Sequence, residues 1–214
     1  MIDVKQQISA VRRTVGTRVL EAGTARLLTI SQAYDTDVDD LWNAVTDPDR
    51  ISRWFLPISG DLTVGGRYQF QGQAGGTVER CERPTGFSAT WEYGGQVSWI
   101  EVRLSDEGDG RSRLELEHVA HVDEDMWARF GPGAVGIGWD SALMGLALHV
   151  PSGDVVNDPE TTAAWVASPD GKLFMTLSSE AWYEANVASG TDEATARGAA
   201  DRSTAAYTGA EAPE

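Results

Sequence analysis

The side chain best suited to move a proton near neutral pH is His118. Residues 111–121 read RSRLELEHVAH, with Leu114, Leu116 and His118 alternating against Arg113, Glu115 and Glu117. In a strand this alternation puts the imidazole on the apolar face, where it can hydrogen-bond a ligand or serve as acid or base. Its partner carboxylate would be Glu79 or Glu101, with Arg80 or Arg103 as counter-charge. Register decides whether these face inward or toward water, because a one-residue slip turns every side chain over. His118 and Glu79 are thus the catalytic candidates, set against a core histidine satisfied by a neighbour and a glutamate on the surface.

Other chemistry is poorly supported. His121 lies three strand positions beyond His118 and points to the other face, so no metal is expected. Cys81 has no adjacent base or helix N-terminus to make it a thiolate. Ser141, Ser178 and Ser179 lack a Gly-x-Ser-x-Gly setting. The run Gly131-Pro132-Gly133 through Gly136 and Gly138 leads into Trp139-Asp140 rather than a Lys-Ser/Thr pair. It reads as close packing of a helix start on a sheet, not as a phosphate loop. No cofactor is expected.

Large aromatics carry the stronger signal. Trp54, Phe55, Tyr68, Phe70, Phe87, Trp91, Tyr93 and Trp139, with His118, Leu143 and Leu146, are expected to line a cavity. As a set, an aromatic wall with few polar groups suits a flat apolar ligand; taken singly, each of these residues reads as core filling.

The element that must organise them is a helix over Gly131–Val150. Leu143, Leu146 and Val150 follow Trp139 at helical steps, and Ile137, Met144 and Leu148 form a second stripe, as in a buried helix. Its 17 residues from Ala134 include Asp140, short of the roughly 20 apolar residues of a membrane span. Upstream, the spacing predicts a helix over 2–13, then two strands around a Glu21–Thr24 loop. A helix capped by Thr36 follows, with Val38, Leu41, Trp42 and Val45 on its apolar face. A second, capped by Asp47 with Pro48 at its first position, presents Ile51, Trp54 and Phe55. From 58 to 121 the period is two, broken by Gly-rich turns, as in an antiparallel meander with one dry face. Beyond Pro151 come short helices, one over 169–188 and a last one capped by Thr191.

The chain has 214 residues, eight tryptophans, one cysteine and a net charge of −16. That composition predicts a packed globule. The charge argues against non-specific nucleic-acid binding or an anionic membrane surface. One cysteine excludes an internal disulfide, and no signal-like leader is read, so a reducing cytoplasm is expected.

Strand, two short helices, six-strand meander and long helix resemble the α+β helix-grip fold, in which a curved antiparallel sheet wraps a C-terminal helix. The motifs over 26–150 resemble the SRPBCC superfamily (the START-like and birch-pollen-allergen-like proteins), nearest the homologues of the activator of the 90-kDa heat-shock-protein ATPase. The residues carrying the resemblance are Tyr34-Asp35, Val38-Leu41-Trp42, Asp47-Pro48, Arg53-Trp54-Phe55, Gly65-Gly66-Arg67-Tyr68, Gly76-Thr77-Val78-Glu79, Phe87-Ala89-Thr90-Trp91, Leu114-Leu116-His118 and Gly138-Trp139. The expected organisation is an N-terminal helix and added strand (1–24), a helix-grip domain (25–150), a helical extension packed on it (151–208) and a disordered tail (209–214). The resemblance implies a cavity and three roles: holding a small apolar or aromatic molecule, cyclase- or hydratase-like catalysis, or a chaperone-ATPase contact. A monomer or homodimer fits each.

Overall fold

The computed structural model describes residues 3–210, so the expected tail lies outside the described residues from 211 onward. The chain divides into two compact units. The sheet unit comprises Ser31–Ala120 and Ala142–Asn157; the helical unit comprises the residues up to Ile30, His121–Ser141, and those from Asp158 on.

The sheet unit holds helices α2 (Val38–Thr46) and α3 (Pro48–Trp54). Its strands are β3 (Ile58–Gly60), β4 (Arg67–Phe70), β5 (Gly75–Glu82), β6 (Gly86–Tyr93), β7 (Gln96–Gly108) and β8 (Arg111–Ala120). Each pairs antiparallel with the next. With β1 (Val11–Leu20) and β2 (Gly23–Tyr34) the strand order is β1-β2-β8-β7-β6-β5-β4-β3. Register makes one face dry. Phe87 stands opposite Val102, Ala89 opposite Ile100 and Trp91 opposite Ser98, while Ile100, Val102 and Leu104 stand opposite His118, Leu116 and Leu114. Leu41, Trp42, Val45 and Ile51 of the two short helices are buried, as are Leu143 and Leu146 of α5 (Gly133–His149). Each such side chain removed from water contributes roughly 1.5–3 kcal/mol. This is the α+β helix-grip architecture.

The helical unit contains α1 (Val4–Ala10), β1, most of β2, α4 (Glu124–Phe130), the first half of α5, α6 (Pro159–Ala167), α7 (Pro169–Ala188) and α8 (Glu193–Thr208). The first helix is shorter than the expected 2–13. Val11 already has extended backbone (φ −97°, ψ 130°) and opens β1, a placement that its β-branched side chain favours.

At the centre of this unit is Asp140, 1% exposed. Arg13 donates to it from Nε (3.1 and 3.0 Å) and Nη2 (2.6 Å), Ser178 Oγ at 2.5 Å and Trp182 Nε1 at 2.9 Å. Burial pushes the Asp140 carboxyl up, and Arg13, Ser178 and Trp182 oppose that shift. Four converging donors are the shell of an ionised carboxylate. The glycines before it are explained by helices rather than by a sheet. A Cβ at Gly136 would overlap the Trp182 ring, and Gly133 faces Ser203.

Two caps also differ from expectation. In both Thr-Asp pairs the aspartate takes the cap: Asp37 accepts from Asp40 N, and Asp192 from Thr195 N. The threonine hydroxyls are engaged elsewhere, Thr36 on Asp40 and Thr191 on Asn186. Among the described residues no helix is long and apolar enough to cross a membrane.

Candidate functional site

Six rings of the sheet unit form one continuous run. Trp54 and Phe55 rings lie 5.7 Å apart, Phe55 and Phe70 5.0 Å, Phe70 and Trp91 5.6 Å, and Trp91 and His118 6.5 Å. Tyr68 meets Phe70 edge-on at 5.6 Å. Edge-to-face and tilted contacts at these spacings are the favourable ones for ring quadrupoles. Tyr68 and Phe70 are buried, but Trp54, Phe55 and Trp91 are only half-buried despite their ring neighbours.

Local structure explains why these rings are fixed. Trp54 and Phe55 sit at the end of α3, where the segment after α5 holds the backbone. Val156 N and Asn157 N donate to Arg53 O at 2.7 and 2.9 Å, and Asn157 Nδ2 donates to Phe55 O. Trp54 Nε1 donates to Ala44 O at 2.9 Å. A Cβ at Gly145 would collide with the Trp54 carbonyl oxygen, so that glycine lets α5 approach α3. On the sheet, Tyr68 Oη donates to Thr90 O at 2.6 Å. Burial first, and the charge of Glu92 second, push its phenol above the ordinary range, so it remains a neutral donor.

His118 ends the run. Its Nε2 lies 2.8 Å from Ser98 Oγ, which donates to Trp91 O at 3.0 Å. With the serine proton directed at that carbonyl, the imidazole donates from Nε2. Burial pushes its pKa down to about 4, so it is neutral at pH 7. Ser98, the histidine's partner, belongs to the inward set that continues through Ile100, Val102 and Leu104. Alternation reaches it if carried one step further back.

His118 and Glu79, the candidate acid–base pair, are not brought together. Glu79 is exposed, at the register shift between Val78 and Arg80, where an extra residue leaves the ladder. Glu101, Arg80 and Arg103 lie together on the polar face. Arg80 contacts Glu101 at 2.6 Å and Glu82 at 3.1 Å, while Arg103 contacts Glu101, Glu115 and Glu117 at 3.0–3.3 Å. A groove of about 490 Å³ runs across these residues. Its arginines and glutamates neutralise one another, as on a solvated sheet face.

Other expected lining residues are distributed differently. Phe87 is half-buried and meets Trp42, a ring absent from the expected lining, at 6.3 Å. Leu143 and Leu146 are buried in the sheet unit, with Tyr34 Oη 3.4 Å from Leu143 O. Tyr93 is 59% exposed beside the Gly94-Gly95 turn and is not part of the ring run. Trp139, 8% exposed, belongs to the helical unit. Among the described residues no group of His, Cys, Asp and Glu is arranged to hold a metal ion.

Residues 35–150 match the family model described as activator of Hsp90 ATPase homolog 1-like protein. The crystal structure of CalU16 from Micromonospora echinospora is 38% identical, covering 82% of this chain and 98% of that one, with a TM-score of 0.63. Its solution NMR structure, also 38% identical, covers 84% and 97% with a TM-score of 0.69. A protein from Mesorhizobium loti, 20% identical over 60% of this chain and 99% of its own, shares the fold with a TM-score of 0.53. No curated protein matches.

Proposed function

We propose, starting from the fact that the chain belongs to the activator of Hsp90 ATPase homolog 1-like family, that it is a receptor for a small hydrophobic or aromatic molecule. The observation that carries this reading is the incomplete burial of Trp54, Phe55 and Trp91 within a connected run of rings. Two of the three are tryptophans, which often keep some surface, so the reading rests on the three lying in one connected run. Apolar ring surface that a ligand removes from water contributes about 25 cal/mol per Å² before the cost of association is deducted. Neutral, hydrogen-bonded His118 and exposed Glu79 form no proton-transfer pair with each other, which favours binding over the catalytic alternative.

The test is a tryptophan-fluorescence and calorimetric titration of the full chain with fused-ring arenes. Saturable binding is expected. Trp91→Ala should weaken it about tenfold or more, the loss of one good ring contact with its burial, and Trp91→Phe should lose less. No saturable binding by any arene would overturn the reading, as would an unchanged affinity in a Trp91→Ala protein that folds normally.

A further inference from the structure

The ring run belongs to a unit in which every arginine on a strand already holds a carboxylate. This unit has no lysine, since Lys5 and Lys172 both lie in the other unit. The arginines of its strands are engaged with carboxylates: Arg67 with Glu92, Arg80 with Glu82 and Glu101, Arg103 with Glu101, Glu115 and Glu117, Arg111 with Asp35, and Arg113 with Glu107. Arg50 is taken by Asp40, and Arg53 donates to Gly153 O. The remaining arginine, Arg83, is exposed at the β5–β6 turn.

Three polar groups beside the rings are equally committed. Trp54 Nε1 and Tyr68 Oη each donate to a backbone carbonyl, and His118 is bound to Ser98. Among the described residues no buried side-chain nitrogen or oxygen lacks a hydrogen-bond partner. The polar atoms sealed in with the rings are therefore satisfied without a ligand. Ring faces themselves carry the negative part of the aromatic quadrupole, and the whole chain adds a net charge of −16.

From this we infer the ligand's chemical class, resting on the receptor reading above. The site takes uncharged fused-ring arenes and excludes molecules that carry an ionised carboxylate, sulfonate or phosphate against the rings. An ionised acid there would lose its hydration without a paired cation, which is the costly way to bury a charge. Recognition is by shape and ring contact, with hydrogen bonding in a minor role.

The test compares 2-naphthamide with 2-naphthoate at pH 7, near-isosteres that differ in charge, titrated into the full chain and into the Trp91→Phe variant. The amide is expected to bind at least a hundredfold tighter than the carboxylate. That ratio should persist in about 0.5 M sodium chloride, where the Debye length is about 4 Å and long-range repulsion is screened. Naphthoate binding as tightly as the amide would overturn the inference and leave the receptor reading standing. A ratio that collapses in salt would overturn it too, by assigning the discrimination to net charge rather than to the rings. If neither compound binds and no other arene does, the receptor reading fails first, and the inference with it.

Discussion

At the scale of single residues, His118 makes the fold sensitive to pH in a defined direction. Its ordinary pKa of 6.5 falls to about 4 on burial. Between those values the unfolded chain takes up a proton that the folded chain does not. Stability is therefore full above about pH 6.5 and falls as the pH drops toward 4, by about 3 kcal/mol at most. His118→Gln retains a donor for Ser98 without the titration. Urea unfolding from pH 7 to 4.5 should show a decline at least 1 kcal/mol shallower in this variant; parallel slopes would contradict a neutral buried ring. The inward placement of His118 was legible because alternation in residues 111–121 is unbroken. Its partner was not, since Ser98 lies on another strand and only the β7–β8 register, with Ile100 opposite His118, brings the two near each other. The facing of Glu79 was left open for a related reason. A bulge inserts one residue into the count, and nothing in TVERCE announces it.

At the scale of elements, Asp140 joins parts of the chain that are remote in sequence. Its donors come from β1 and α7, the nearer in sequence being Ser178, 38 positions away, and the most distant Arg13, 127 positions away. Both ends of the ion pair are buried, at 5% and 1% side-chain exposure. Removing one partner strands the other charge out of water, which costs about 3–5 kcal/mol. Arg13→Met and Asp140→Leu should each destabilise the protein by that order. The double variant should lose far less than the two added together, because it leaves no unpaired charge. Additive losses in denaturant unfolding would show that the pair does not act as a unit. An acid inside an apolar helix announces in sequence that it needs a partner, but sequence cannot say which arginine answers. The elements themselves were more legible, because the two helical periods before Pro57 and the Gly-punctuated strands after it are strong local patterns. The caps shifted by one residue where threonine and aspartate compete, since an ionised carboxylate is the better acceptor at a helix N-terminus.

At the scale of the whole molecule, charge is the property most directly read from composition, yet its arrangement appears only in three dimensions. The chain carries 33 acidic and 17 basic residues. Many of the arginines sit in pairs on the sheet's polar face, so their field is cancelled locally and the surplus acids repel one another across the remaining surface. Two effects then oppose each other as salt is added. Exposed pairs such as Arg67–Glu92 weaken, but each contributes only ~0–1 kcal/mol at the outset. Repulsion among the surplus carboxylates is also screened, and it acts over every pair of like charges within a Debye length, which shrinks from about 20 Å to about 6 Å between roughly 0.02 and 0.3 M salt. The repulsive sum has many more members than the attractive one, so it dominates. Thermal unfolding in sodium chloride over that range should therefore move to higher temperature, and most of the gain should come at the low-salt end. A midpoint that instead falls with salt would mean that the Arg80–Glu101–Arg103 lattice outweighs the net charge, and that the polar face of the sheet stabilises the fold more than its exposure implies.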